Sequence, residues 1–142
     1  MISPPDFQYD LSGELLKYLL TNLKTGSVPV SDWAPADTDF RNKGVMKKFN
    51  QKEFVDTYAW QLDGLAPYGY IFYPYQCYDG SRSCKLHMYF HGGASAVDGA
   101  LLGFDVLLYG GWYEYAAAND IILIQPQART HFLLNPYGTF EW

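Results

Sequence analysis

The chain has 142 residues, 49% of them hydrophobic, so it is long enough for one packed domain and too short for two. Its formal net charge of −5 argues against a nucleic-acid partner, because phosphate binding requires clustered lysine and arginine side chains. No stretch approaches the roughly 20 consecutive apolar residues that a membrane span requires.

One helix is predicted near the N-terminus. Ser12 is the candidate N-cap, Glu14 lies near the positive end of the helix dipole, and Gly26 provides the stop. Leucines recur between them at helical spacing, at Leu15, Leu16, Leu19, Leu20 and Leu23. From residue 27 to residue 50 no period is sustained, so this part is expected to be an irregular segment that covers the rest of the chain.

Beyond residue 50 the pattern alternates between strands and helices. Residues 70–73 are an aromatic, β-branched run, residues 86–90 predict a second strand, and residues 121–124 form an apolar run typical of a strand in a parallel sheet. Between the last two, large apolar residues at helical spacing predict a helix that a glycine pair splits or starts: Phe104, Leu107, Leu108, Gly110, Gly111, Trp112, Tyr115 and Ala116.

This alternation predicts an α/β fold. The segments at 86–90 and 121–124 are expected to be parallel neighbours joined by the helix. Residues 1–50 are interpreted as an N-terminal helix with a covering segment, and residues 51–142 as the first part of an α/β domain. Two or three strands would leave a parallel sheet incompletely covered, so the fold is expected to be incomplete after Trp142.

The two cysteines, Cys77 and Cys84, flank a polar segment with an Asp-Gly turn signal. Their spacing does not match the C-x-x-C motifs of redox and zinc sites. It favours a disulfide that closes a short loop, and therefore a secreted protein or another oxidising compartment. The alternative is a pair of free thiols in a cytosolic protein.

A glycine-rich loop follows the strand predicted at 86–90. It contains His91, Gly92, Gly93 and Ala94. Esterases carry an H-G-G-G-type loop at this place, where glycines let the backbone approach an acyl carbonyl and a backbone N–H stabilises the oxyanion. A glycine turn after a strand is also a common structural feature, so the motif alone leaves both interpretations open.

Several motifs in order resemble the first part of the polyhydroxybutyrate (PHB) depolymerases. They cover about residues 49–142 and comprise segments 49–51, 69–74, Cys77, 84–92, 111–116, 118–122, 125–128 and 135–138. The resemblance implies a partial α/β-hydrolase fold, in which an incomplete, mostly parallel sheet has flanking helices. It also implies a secreted enzyme whose Ser-Asp-His triad cleaves hydroxyalkanoate esters. No cofactor is expected.

Two positions depart from the family pattern. Gly93 and Thr139 stand where the family usually has cysteines, after His-Gly and after Asn-Pro-x-Gly respectively. If the family cysteines pair with each other, both partners are replaced together in this chain. The loop is still expected to form, because the oxyanion donor is a backbone N–H and needs no thiol.

The chain contains no G-x-S-x-G nucleophile motif. Residues 93–97 match four of its five positions, but Ser95 lies in the glycine loop rather than between a strand and a helix. No catalytic residue is therefore expected in this chain. The serine, aspartate and histidine of a triad would lie beyond Trp142.

The three histidines do not predict a metal site. His87 and His91 share a strand face but would stand about 13 Å apart at the rise of a β-strand, too far to bind one ion. His131 lies in a separate loop. His87 is expected to be a hydrogen-bonded core or edge residue and His91 to orient the glycine loop. No acid or base role is assigned to the scattered carboxylates Asp98, Asp105 and Glu114.

Three interpretations remain. In the first, the chain is the N-terminal portion of a secreted serine-type carboxylic ester hydrolase, and an ester or polyester substrate binds once the missing half completes it. In the second, it is a catalytically inactive binding or structural subunit. In the third, it is a cytosolic α/β domain with an accidental resemblance. Another protein chain is a candidate to cover the open sheet edge, whereas a closed surface after Trp142 would favour the second interpretation.

Overall fold

The computed structural model describes residues 11–20, 44–55, 64–97 and 103–140. Within these ranges the helices and strands, in chain order, are α1 (Leu11–Leu19), β1 (Gly44–Asn50), a 3-10 helix (Gln51–Phe54), β2 (Tyr68–Pro74), α2 (Tyr75–Tyr78), β3 (Lys85–Met88), α3 (Gly103–Tyr109), α4 (Trp112–Ala118) and β4 (Ile121–Gln125). None of the helices in these ranges has both the length and the apolar character needed to cross a membrane.

The four described strands form one mixed sheet in the order β1-β2-β4-β3. β3 is parallel to β4, and the Tyr89 N–H continues their ladder to the Ile124 carbonyl oxygen at 2.9 Å. The parallel pairing predicted for segments 86–90 and 121–124 is therefore confirmed. The expectation of a mostly parallel sheet is wrong for the described strands, because β2 runs antiparallel to both of its neighbours, β1 and β4.

Strand β1 corrects the irregular segment predicted up to Asn50, the rest of which lies outside the described residues. β1 pairs with β2 along its whole length. Its adjacent lysines, Lys47 and Lys48, break the alternation that would have predicted a strand, and both are exposed. Lysines are common on sheet edges because they oppose pairing with another chain. Lys47 also donates a hydrogen bond to the Tyr78 hydroxyl at 2.8 Å. The division of the chain at residue 50 stays a prediction.

Helix α1 confirms the helix predicted near the N-terminus, but Ser12 does not have the predicted role at its start. Ser12 lies inside the helix, and its hydroxyl donates a hydrogen bond to the Gly110 carbonyl oxygen. The prediction of Ser12 as the N-cap is therefore wrong, because this side chain connects α1 to the turn between α3 and α4. Leu16 is buried on the same side of the helix. The predicted stop at Gly26 lies outside the described residues.

The glycine pair splits the helical segment into α3 and α4, as the sequence predicts. Gly111 has a φ of 78°, in the left-handed region, and a Cβ at Gly110 would lie 2.8 Å from the Val106 carbonyl oxygen. After this turn α4 packs on β2 and β4, and α1 packs on α4. The resulting core comprises Leu16, Phe72, Trp112, Tyr113, Tyr115, Ala116, Ala117, Ile121 and Leu123.

The predicted disulfide between Cys77 and Cys84 is confirmed, with 5.9 Å between the two Cα atoms. It closes the segment that joins β2 to β3. Arg82 in this segment forms an ion pair of 2.9 Å with Asp120, which directly precedes β4. The disulfide is consistent with an extracellular protein, because such bonds persist in oxidising compartments.

The face of the sheet opposite α1 and α4 carries exposed apolar residues on β3 and just after it. Leu86, Met88 and Phe90 are 62%, 47% and 42% exposed. β3 is also the last strand of the sheet within the described part of the chain. A parallel strand is normally buried on both faces. The described residues therefore leave this face of β3 open.

Candidate active-site loop

Two loops meet at the edge of the sheet where β3 and β4 end. We call residues 89–97 the β3 loop and residues 126–140 the β4 loop. Because β3 and β4 are parallel neighbours, their carboxyl ends lie at the same edge, so the chain leaves both strands side by side. In open α/β sheets, ligands bind outside the carboxyl ends of the strands. The glycine motif of the sequence lies in the β3 loop.

His91 joins the two loops through both of its ring nitrogens. Nδ1 lies 2.8 Å from the Gly92 carbonyl oxygen and must carry the proton, because a carbonyl oxygen can only accept. Nε2 accepts a hydrogen bond of 3.0 Å from the Ala128 N–H. The Phe140 ring packs 4.9 Å from the imidazole, and burial lowers the pKa of His91. His91 thus holds the β3 loop as a neutral side chain and has no nitrogen left to take a proton from a substrate.

The backbone amides of the β3 loop differ in what they can bind. The Ala94 N–H donates to the Tyr137 carbonyl oxygen at 2.7 Å, and Ala94 has a left-handed φ of 61°. The amides of Gly92 and Gly93 have no acceptor among the described residues, and both glycines are exposed. A Cβ at Gly92 would meet no atom within 4 Å. Of the predicted oxyanion loop, therefore, the Gly92 and Gly93 amides are the available donors.

Further contacts fix the base of the β3 loop against the β4 loop. The Val97 N–H donates to the Gln127 Oε1 at 2.9 Å. Ala96 is fully buried, and a Cβ at Gly138 would lie 2.9 Å from the Ala96 Cβ. Gly138 also has a φ of 59°, in the left-handed region. Position 138 therefore requires glycine both for the close approach to Ala96 and for this backbone conformation. The β3 loop is consequently held at both ends by the β4 loop.

Asn135 holds the β4 loop in its shape. Its Nδ2 donates to the carbonyl oxygens of Arg129 at 3.0 Å and Thr139 at 2.7 Å. Its Oδ1 accepts from the N–H and the hydroxyl of Thr139. The backbone of Asn135 exchanges two hydrogen bonds with His131. Because Asn135 is 5% exposed, these bonds lie largely away from water and satisfy both ends of the amide.

Gln51 connects this edge to the start of β2. The residue is 3% exposed, and its Nε2 donates to the carbonyl oxygens of Ala66 at 2.6 Å and Gln127 at 2.9 Å. Its Oε1 accepts from the Gln127 N–H at 2.9 Å. The sequence analysis placed Gln51, Gln127 and Asn135 in segments that carry the resemblance but assigned no role to any of them. Only Asn135 carries a local signal, since it begins an Asn-Pro turn.

The remaining residues considered for catalysis do not form a nucleophile-base pair among the described residues. The Ser95 hydroxyl donates to the Gly93 carbonyl oxygen at 3.3 Å, and Ser95 lies within the β3 loop rather than at a strand-to-helix turn. Asp105 lies in α3 and Glu114 in α4. Asp98 lies outside the described residues.

The three histidines occupy separate environments. His87 is half-buried with its ring stacked 5.3 Å from that of Trp112, and burial lowers its pKa. His131 lies in the β4 loop, where its Nδ1 accepts from the N–H groups of Leu133 at 3.3 Å and Leu134 at 3.2 Å. In the part of the chain that the structure describes, no three histidine, cysteine, aspartate or glutamate side chains are grouped as metal ligands would be.

The buried imidazole of His91 predicts that the protein loses stability in mild acid. Its pKa in the folded protein is below the value of about 6.5 for an exposed histidine, so the unfolded chain binds the proton first as the pH falls. The stabilisation is complete above pH about 6.5 and decreases below it, because a protonated Nε2 can no longer accept from Ala128. We expect Tm to fall by a few degrees between pH 7 and pH 5.

The matched variant is His91→Gln, whose side-chain oxygen can accept from Ala128 without titrating. Its Tm is expected to depend less on pH than that of the wild type, with the remaining slope partly due to His87. Differential scanning calorimetry at several pH values measures both slopes. Equal slopes for the two proteins would contradict the role assigned to His91.

No protein-family model matches the chain, and no curated protein matches it. Two solved structures are similar to it, a PHB depolymerase complexed with an R3HB trimer and a PHB depolymerase from Penicillium funiculosum. Each has a TM-score of 0.70 and 24% sequence identity, with 94% of this chain covered. The chain spans 40% of the length of those structures. Over the matched part, this chain therefore has a PHB depolymerase-like fold.

Proposed function

We propose that this chain supplies the oxyanion loop of a secreted serine-type carboxylic ester hydrolase with an α/β-hydrolase fold. The serine nucleophile, its histidine base and the orienting aspartate would be provided by residues outside this sequence. Hydroxyalkanoate esters are the proposed substrates, since one of the similar structures is described as a complex with an R3HB trimer.

The observation that carries this proposal is that Gly92 and Gly93 are exposed and that their amides have no acceptor among the described residues. Both lie in a loop that follows the third strand, where α/β-hydrolases place one half of the oxyanion hole. His91 and Ala94 hold this loop by hydrogen bonds to the β4 loop. Donors that are already fixed need no reorganisation when charge develops on the substrate, which is why such sites stabilise transition states.

The chemistry follows from this arrangement. A serine oxygen attacks the ester carbonyl carbon and transfers its proton to a histidine, and the carbonyl oxygen becomes negatively charged. The Gly92 or Gly93 N–H would donate one hydrogen bond to that oxygen, and the residue after the serine would donate a second. Glycine permits this approach because no side chain at position 92 stands between the backbone and the open space beside it.

Secretion is supported by the disulfide between Cys77 and Cys84. These are the two cysteines of the chain, and neither is a free thiol. Disulfides persist in oxidising compartments and are rare in the cytosol. The same bond argues against the cytosolic interpretation of the sequence.

The second candidate function is a catalytically inactive binding or structural subunit. The missing G-x-S-x-G motif favours it, as does the replacement of two cysteines of the family pattern at Gly93 and Thr139. In the first candidate, the residues that carry the nucleophile would also cover Leu86, Met88 and Phe90, the face of β3 that the described residues leave open. In the second, whatever covers this face carries no nucleophile.

The test measures hydrolysis of a short p-nitrophenyl ester and of a hydroxybutyrate oligomer, followed by labelling with a fluorophosphonate. The 142-residue chain is expected to give neither turnover nor label, because an oxyanion donor without a nucleophile forms no tetrahedral intermediate. The protein extended along its reading frame beyond Trp142 is expected to hydrolyse both esters and to label on one serine.

Ser95→Ala is the matched control, because the Ser95 hydroxyl contacts the Gly93 carbonyl oxygen of its own loop. This variant is expected to leave the activity of the extended protein unchanged. Label on Ser95 would show that the active site is misplaced. An extended protein without activity or label would favour the inactive subunit.

A further inference from the structure

Phe140 lies at the end of the β4 loop and contacts two residues near the start of the β3 loop. Its ring centre is 4.9 Å from that of the His91 imidazole, and the two rings are tilted by 50°. The Phe90 ring meets it edge-on, with 5.1 Å between the centres and an angle of 89° between the planes. Both distances are within the range of favourable aromatic pairs. The side chain of Phe140 therefore joins the two loops.

The position of Phe140 is fixed by the residue before it. The Thr139 carbonyl oxygen, on the peptide that leads into Phe140, accepts from the Asn135 Nδ2 at 2.7 Å. The N–H and the hydroxyl of Thr139 both donate to the Asn135 Oδ1. The Thr139 methyl group also packs on Gly93, where a Cβ would lie 3.1 Å from the Thr139 Cγ2. Two consecutive residues of the β4 loop thus contact the imidazole of His91 and the glycine that carries a candidate oxyanion donor.

The His91 imidazole controls the direction of one of the two candidate donors. Its Nδ1–H donates to the Gly92 carbonyl oxygen at 2.8 Å. That carbonyl and the Gly93 N–H belong to one peptide group, which is planar and trans, so the two bonds point in opposite directions. Because the imidazole holds the oxygen, the Gly93 N–H is aimed away from His91. A hydrogen bond to the carbonyl also polarises the peptide and strengthens its N–H as a donor.

The Gly92 N–H has no comparable support. It shares its peptide group with the His91 carbonyl oxygen, and no backbone N–H among the described residues donates to that oxygen. The donor whose direction the structure fixes is therefore the Gly93 N–H. Its direction depends on the imidazole, which is also held by the Ala128 N–H at Nε2. The Phe140 ring adds the aromatic contact that keeps water from competing for both nitrogens, and His91 is accordingly 6% exposed.

We propose that Phe140 is a positioning residue for the oxyanion donor: its ring holds the His91 imidazole against the Gly92 carbonyl oxygen and so keeps the Gly93 N–H aimed at the substrate. The inference rests on the proposed function for the oxyanion itself. The arrangement of the ring, the imidazole and the peptide is a property of this chain and is measured without catalysis. Phe140 acts through His91 and makes no contact with the reacting atoms.

The first experiment is nitrogen NMR of the His91 imidazole in the 142-residue chain at neutral pH, because the nitrogen shifts distinguish the two neutral tautomers. The His91→Gln variant identifies the signals of this ring by their absence. The wild type is expected to carry the proton on Nδ1. Phe140→Leu keeps an apolar side chain but removes the ring, so water competes for the nitrogens and a mixture of tautomers is expected. A wild-type imidazole with its proton on Nε2 would overturn the inference whatever the variants show.

Two matched variants separate the contact with His91 from ordinary packing. Phe90→Leu removes the contact between Phe90 and Phe140 and leaves the Phe140 ring on the imidazole, so the wild-type tautomer is expected. Phe140→Tyr keeps the ring and is expected to keep that tautomer as well. The inference fails if Phe140→Leu retains the wild-type tautomer, or if Phe90→Leu shows the same mixture. Circular dichroism checks that each variant is folded.

The second experiment measures ester hydrolysis by the protein extended beyond Trp142. Phe140→Leu is expected to lower kcat about tenfold and to change KM by less than about twofold, since removing a whole oxyanion donor costs about a hundredfold or more in kcat. Phe140→Tyr is expected to restore kcat. An unchanged kcat in Phe140→Leu, or an equal loss in Phe140→Tyr, would overturn the positioning role. An inactive extended wild type would instead contradict the proposed function, and the tautomers would still decide whether Phe140 holds His91.

Discussion

Replacing Gln51 with glutamate is expected to lower the free energy of unfolding by about 3–5 kcal/mol at pH 7, the cost of leaving a buried charge without a partner. The Gln51 Nε2 donates to two carbonyl oxygens, those of Ala66 and Gln127. A carboxylate at this position would point an acceptor at both of them. The position is 3% exposed, so little water could solvate the charge.

The pH dependence of this variant has a defined sign. Burial next to two carbonyl oxygens raises the pKa of a carboxyl above the value of about 4.3 for an exposed glutamate. The folded variant therefore binds the proton more tightly than the unfolded chain. Its stability is highest below pH about 4 and falls as the pH rises through the raised pKa. The difference in Tm between variant and wild type is expected to widen from pH 4 to pH 8.

The matched control is Gln51→Met, which keeps the length of the side chain without a charge. It loses three hydrogen bonds and leaves the Ala66 carbonyl oxygen short of a donor, for an expected cost of about 1–3 kcal/mol. The difference in free energy of unfolding between Gln51→Met and the wild type is expected to be the same at pH 4 and pH 8. Urea unfolding at both pH values measures the two variants. If the stability of Gln51→Glu and of Gln51→Met depended on pH in the same way, Gln51 would not be buried between these carbonyl oxygens.

The sequence predicted those parts of the fold that depend on neighbouring residues. The apolar run of β4 lies inside the sheet, with Ile121 and Leu123 buried and Ile122 and Ile124 half-buried, and such a run is visible in one segment. The glycine pair that separates α3 from α4 is equally local, since glycine is the residue that accepts the left-handed φ at position 111. The disulfide followed from the spacing of two cysteines around a turn.

The parts that the sequence did not predict depend on contacts between distant segments. Strand β1 is stabilised by its pairing with β2, whereas its own residues include two adjacent lysines that resemble a polar loop. Gln51 and Gln127 are buried because four chain segments, at residues 51, 66, 97 and 127, meet at their amides. Glutamine is usually an exposed residue, so the local pattern gives no sign that these two are buried, although both lie in segments that carry the resemblance.

The same limit applies to the candidate site. The glycine loop was visible in the sequence, but which of its amides is free depends on the Tyr137 carbonyl oxygen, which lies far along the chain. Likewise, the tautomer of His91 is set by the Gly92 carbonyl and the Ala128 N–H together. The motif located the loop, and the tertiary contacts determine which of its amides have an acceptor among the described residues.

A disulfide introduced at positions 93 and 139 is expected to stabilise the chain by up to about 4 kcal/mol, as the chain-entropy model gives for a loop of this length. A Cβ at Gly93 would lie 3.1 Å from the Thr139 Cγ2. In a disulfide the Cβ of one cysteine lies about 3 Å from the sulfur of the other, as the bond length and the angle at sulfur require. The γ position of residue 139 therefore already stands where a bonded sulfur would be.

Both positions usually hold cysteine in the PHB depolymerase pattern that the sequence resembles, and this geometry places the two positions in contact across the β3 and β4 loops. The contact between the two loops remains, with glycine and threonine packed at the distance that a bond would span. His91, Ala94 and Val97 make the hydrogen bonds that keep the loops together without it. Restoring the bond should consequently add stability without moving the Gly92 and Gly93 amides.

The variant is Gly93→Cys/Thr139→Cys, measured by Tm with and without a reducing agent. We expect peptide mapping to find one new disulfide beside the Cys77–Cys84 bond, and reduction to remove most of the gain in Tm. Gly93→Cys and Thr139→Cys alone are the controls, and neither is expected to raise Tm. Two titratable thiols in the oxidised, folded double variant would mean that the β3 and β4 loops do not meet at these residues. The positions assigned to the Gly92 and Gly93 amides would then be wrong as well, because they depend on the same contact.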